Sequence, residues 1–88
     1  SLSVLRFVSF VIIADNLVMD KSLLEKLAKR IKELRKKNGF TQDELAFRAN
    51  IERSTLGNIE TAQNDVTLTK VNQIAKAFDL TISDLLKF

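Results

Sequence analysis

The tightest constraint on this chain is a cap that recurs along it. Ser22 stands three residues before Glu25, Thr41 three before Glu44 and Thr81 three before Asp84, each pair opening a stretch with apolar residues at helical spacing. A hydroxyl at such a position accepts from the N–H three residues on, and the acid there reaches back to the cap's own N–H, so these pairs mark helix starts. In "SLLEKLAKRIKELRKKNGF" the apolar positions Leu24, Leu27, Ile31 and Leu34 predict a helix over 22–37, stopped by Asn38-Gly39 in a left-handed turn. Thr41 opens a second, short helix with Leu45, Ala46 and Ala49 inside, and Asn50 is suited to the left-handed turn that ends it. In "IERSTLGNIET" Leu56 and Ile59 face inward, while Arg53, Ser54, Gly57, Asn58 and Thr61 share the outer side. Thr67 caps a fourth helix with Leu68, Val71, Ile74, Ala75 and Phe78 as its inner face, and Thr81 a fifth carrying Ile82, Leu85 and Leu86. Five short helices with short connections make an all-α bundle, and 88 residues hold one such domain, placed at 21–88 behind an arm at 1–20.

The residue inventory narrows function by exclusion. There is no cysteine and no histidine. Disulfides, thiol nucleophiles, the usual zinc sets and the commonest general acid/base are therefore out of reach, no metal or cofactor is expected, and an enzyme is a poor reading. The net charge of +3 is unevenly spread: residues 21–37 hold eight bases against two acids, whereas residues 40–88 hold five bases against seven acids. Such a concentration suits phosphate or an anionic surface as well as it suits a solvated lysine-rich helix face.

The second and third helices, joined through Asn50 with Ile51 plugging the turn, have the layout of a helix-turn-helix. Across residues 22–87 the chain resembles the lambda-repressor-like, Cro/repressor or xenobiotic-response-element type, DNA-binding domains. The segments that carry the resemblance are "RIKELRKKNGFTQDELA", "AFRANIERSTLGNIE" and "NDVTLTKVNQIAKAFDLTISDLL", in that order and spacing. The resemblance implies a five-helix lambda-repressor-like domain whose third helix enters the major groove of double-stranded DNA. Arg53 and Ser54 in its first turn, and Asn58 one turn on, are then the base readers, since arginine pairs with guanine O6 and N7 and asparagine with adenine. Gln42 matches the family position that contacts a phosphate, with Thr55, Asn64 and Lys70 as further phosphate candidates. Arg35 and Glu60 match a structural pair between the first and third helices. Gly57 either allows a closer approach or is simply tolerated. Three positions depart from the family pattern: Asn50 and Ala62 stand where glycine is common, and Glu52 where serine or threonine usually caps the recognition helix.

The most apolar stretch, "FVSFVII", lies outside this domain. It is too short to cross a membrane, carries Arg6 just before it and Asp15-Asn16 after it, and has no cleavage pattern of an export signal. Rich in Val, Ile and Phe, it reads as a β-strand, and Phe7, Val8, Phe10, Val11, Ile12 and Ile13 are expected to pair two copies into a homodimer. Met19 is an alternative start, which would place this arm outside the native chain. The reading as a whole is a dimeric, sequence-specific DNA-binding regulator, cytoplasmic and nucleoid-associated, acting as repressor or controller. Its rival is an antitoxin-like module that uses the same fold to bind a toxin or other protein.

Overall fold

The computed structural model describes residues 21–88, which form five helices: α1 (Lys21–Lys37), α2 (Gln42–Ala49), α3 (Arg53–Glu60), α4 (Leu68–Ala77) and α5 (Ile82–Leu85). Every regular element among the described residues is a helix. The expected strand and dimer residues of the arm lie outside the described residues. Within 21–88 no helix is long and apolar enough to cross a membrane.

The caps set the boundaries. Thr41, Thr67 and Thr81 are extended in backbone, and each hydroxyl accepts from the N–H three residues on, at 3.1 to 3.2 Å. Ser22 departs from expectation: α1 already includes it, so it is helical and does not stand outside the helix as a cap. Four helices stop on a left-handed residue, Gly39, Asn50, Ala62 and Asp79, of which only the first is glycine. After α1 the stop is a double one, with Gly39 N–H donating to Lys36 O and Phe40 N–H to Arg35 O. The αL backbone costs about 1–2 kcal/mol for a residue with a Cβ, and least for Asn and Asp, whose short polar side chains find local partners. Ala62 has no such relief at φ 54°.

The helices close over one apolar core. Ile31 of α1, Leu45 of α2, Leu56 of α3, Ile74 of α4 and Leu85 of α5 are fully buried, so each helix contributes one side chain worth about 1.5–3 kcal/mol of burial. α2 packs against α3 and α4, α1 against α3, and α5 against α4. Ala46 and Ala49 are buried at these crossings, where a small side chain lets backbones approach. Leu68 corrects the expected inner face of α4: as the first helical residue after the cap it points outward and is 67% exposed.

Side-chain contacts also tie elements together away from α3. The Arg30 guanidinium donates from Nε to Leu85 O and from Nη2 to Asp84 O, both at 3.1 Å, so an α1 side chain satisfies the last carbonyls of α5. Phe40 and Phe78 stack with centroids 6.1 Å apart, and the Arg48 guanidinium lies 4.5 Å above the Phe40 ring. At the end of the chain Lys87 and Thr81 hold the Asp84 carboxyl below its ordinary value, so this tie is present at neutral pH and lost as acid protonates the group.

Candidate nucleic-acid interface

The turn between α2 and α3 fixes how their first turns meet. Asn50 adopts φ 57°, and Ile51 N–H donates to Ala46 O at 3.0 Å, so the chain reverses within three residues and Arg53 becomes the first residue of the next helix. Leu56 and Ile59 then point into the core, which leaves Arg53, Ser54 and Asn58 exposed on the opposite side and Thr55 half-buried between. Gly57 lies on the same side, and a Cβ built there meets nothing within 4 Å. Among the described residues nothing requires glycine at this position.

Two ion pairs hold α3, one at each end. At its C-terminal end Glu60 is 2% exposed, and Arg35 of α1 grips it with both branches of the guanidinium: Nε to Oε2 at 2.8 Å and Nη2 to Oε1 at 3.1 Å. The remaining Nη1 donates to Phe40 O, and Gln42 Nε2 donates to Glu60 Oε1 at 3.1 Å. One arginine and one amide thereby join α1, the α1–α2 turn, α2 and α3 around a single buried carboxylate. At the N-terminal end Arg53 Nε lies 3.1 Å from Asp43 Oδ1, with both side chains mostly in solvent.

The expected phosphate contacts divide accordingly. Gln42 stands at the start of α2, where N–H groups without intrahelical partners and the helix dipole favour an anion. Its side chain, however, gives one N–H to Glu60, so it is anchored from behind. Asn64 is exposed in the α3–α4 connection and Lys70 is half-buried in the first turn of α4. Among the described residues no side-chain hydrogen bond or ion pair ties either of them to Arg53 or Ser54. Glu52 precedes α3 in extended conformation but makes no side-chain cap, which leaves the N–H groups of the first turn of α3 without that partner.

The basic charge of α1 is not all directed to this face. Lys26, Lys29 and Arg30 line a recess with Lys87, Glu33 and Phe88, and no residue of α2 or α3 takes part in it. Arg35 is consumed by Glu60. A second recess, of about 410 Å³, is apolar and open; it runs between the start of α1, the start of α4 and the end of the chain, with Leu24, Val66, Leu68, Leu86 and Phe88 among its walls. Among the described residues no group of three or more His, Cys, Asp or Glu side chains could hold a metal ion.

Asp43, Arg30 and the Arg48–Phe40–Phe78 stack carry contacts that sequence reasoning did not single out. Arg48 had a local signal, since Glu44 lies four residues before it and pairs with it at 3.0 Å. Asp43 and Arg30 had none, because their partners lie 10 and more residues away across turns.

The HTH_3 helix-turn-helix family model matches residues 31–85. Among curated proteins, antitoxin HipB of Escherichia coli (strain K12) is 35% identical over 57 residues, a span of 65% of this chain and 65% of HipB. The chain thus spans just under two thirds of HipB's length. An uncharacterised HTH-type transcriptional regulator of Archaeoglobus fulgidus is 37% identical over 59 residues, covering 67% of this chain and 84% of its own. Among solved structures, the restriction-modification controller protein C.AhdI from Aeromonas hydrophila superposes with a TM-score of 0.68 at 35% identity, covering 70% of this chain and 94% of that one. The controller protein C.Esp1396I, solved as a tetramer with its natural 35 base-pair operator, gives 0.66 at 28% identity, covering 73% and 88%.

Proposed function

Because this chain belongs to the HTH_3 family of helix-turn-helix proteins, we propose that it is a dimeric transcriptional regulator that reads a palindromic operator with α3. The single observation that carries the reading is the outer face of α3. Arg53, Ser54 and Asn58 are all exposed there on a helix whose other side and far end are locked into the core. These side chains are chemically equipped for base edges, arginine for guanine and asparagine for adenine. Gln42, Thr55, Asn64 and Lys70 are the phosphate anchors in this reading, and they set register without reading sequence.

One helix reads too few base pairs to be selective, and two copies placed about 34 Å apart read two half-sites one turn of DNA apart. The exposed apolar walls of the α1–α4 recess and the apolar arm at 7–13 supply surface for pairing. Truncation of residues 1–18 is expected to give monomers in light scattering; an unchanged dimer would remove the arm from the interface. The setting is cytoplasmic, on the nucleoid.

Selection of binding sites from random duplexes, followed by gel-shift competition with the full chain, tests the function. A palindromic site whose retardation is lost in Arg53→Ala is the expected result. Recovery of no preferred site would instead favour the antitoxin-like reading, which the 35% identity to HipB supports. In that case the protein's first partner is another protein, such as a toxin, and the same fold serves as the binding surface.

A further inference from the structure

Arg53 is the residue on which base reading rests, and its guanidinium is not free. Asp43 Oδ1 approaches it at 3.1 Å, from the Nε side. A guanidinium offers planar acceptors either the edge made of Nε and one Nη or the end made of both Nη groups. Asp43 pairs with the Nε side, and the end made of both Nη groups is one of the two faces that can meet O6 and N7 of a guanine bidentately.

The backbones that carry these two side chains are themselves set. Asp43 is the second residue of α2, directly behind the Thr41 cap, and Arg53 is the first of α3, directly behind the Asn50 turn. The pair therefore spans the turn of the helix-turn-helix and links its two starting points. An unrestrained arginine at this position could swing to the nearest phosphate, where it would add affinity for any sequence. A carboxylate at its Nε opposes both parts of that error: it biases the side chain toward one orientation before DNA arrives, and its own charge is repelled by phosphates.

We propose that Asp43 is a specificity-determining positioning residue, which holds Arg53 end-on for a guanine and weakens sequence-independent binding. The proposal rests on the reading of Arg53 as a base reader. The group invoked is one of few charges at that end: Glu52 precedes Arg53, and Glu44 beside Asp43 is occupied by Arg48.

The test measures binding of the full chain to its selected operator and to random duplex across a salt series, for wild type, Asp43→Ala, Asp43→Asn, Arg53→Ala and the double variant. Asp43→Ala is expected to raise affinity for random duplex and steepen its salt dependence, while the ratio of operator to random binding falls about tenfold. Asp43→Asn, which keeps an acceptor oxygen without the charge, should share the first effect and retain part of the ratio. In the Arg53→Ala background Asp43→Ala should change the ratio no further. An unchanged ratio in Asp43→Ala alongside a lost ratio in Arg53→Ala overturns the role of Asp43 and leaves the reading intact. An equal drop with and without Arg53 also overturns it, since Asp43 would then act by itself. A ratio unaffected by Arg53→Ala removes the base-reading premise, and the inference with it.

Discussion

The two ends of α3 are each held by an arginine–carboxylate pair, and the pairs are opposite in kind. Glu60 at the C-terminal end is 2% exposed, gripped in two-pronged fashion by Arg35, and shared with Gln42. Arg53 at the N-terminal end is 60% exposed and meets an Asp43 that is 81% exposed. A buried pair of this sort sets geometry at the expense of desolvation, so removing one partner strands a charge in the core. An exposed pair is worth little to stability and can release its arginine to a new partner. Helix α3 is thus bolted at one end and presented at the other.

Four substitutions bear on that contrast. Glu60→Ala leaves the Arg35 guanidinium without its buried carboxylate and should cost about 3–5 kcal/mol, read as a lower denaturation midpoint in urea. A cost under about 1 kcal/mol would mean that the bolted end is not bolted. Arg53→Ala should do the reverse: stability within about 0.5 kcal/mol of wild type, but operator binding weaker by about 1–3 kcal/mol in competition titrations. Thr41→Ala removes the cap behind both Gln42 and Asp43, and is expected to lower stability by about 1 kcal/mol. Because that turn serves both pairs, it should also reduce operator selectivity, measurable in the same titrations. Ala62→Gly, two residues beyond Glu60, should have the smallest effect. Relief of left-handed strain of about 1–2 kcal/mol is offset by glycine's added entropy of about 0.5–1 kcal/mol and by loss of a buried methyl worth about 0.8 kcal/mol. A thermal shift of more than a few degrees would show that one of these three terms has been misjudged.

Much of the fold was legible because its signals are local. The threonine caps act on N–H groups three residues away, Asn38-Gly39 and Asn50 close their helices within a turn, and Leu27, Ile31, Leu34, Leu56, Ile59, Val71 and Ile74 follow helical spacing into the core. Local reading misjudged Leu68, whose spacing fits the inner face of α4 but which precedes the point where that helix meets the core. It also missed Asp79 as a stop, where no glycine advertises the left-handed turn. Of the site, the outer face of α3 was readable from periodicity, and the Arg35–Glu60 pairing only through resemblance to a known family. Neither the side-chain bond from Gln42 to Glu60 nor the reach of Asp43 to Arg53 carries a signature in spacing.

The sequence by itself determined where three of the helices begin, where α1 and α2 end, most of the apolar side of each, and that this sequence carries no cysteine or histidine. It also decided that the turn between α2 and α3 is tight, since Asn50 accepts a backbone that most residues resist. What only the tertiary structure decided is how the charges are spent. Arg30 ties down α5, Arg35 closes on Glu60, and Arg53 pairs with Asp43 in solvent, although all three look alike in a list of bases. The physical reason is range: caps and apolar periodicity act within about a turn of helix, whereas a guanidinium's role depends on which carboxylate or carbonyl the packing of distant helices brings within about 3 Å.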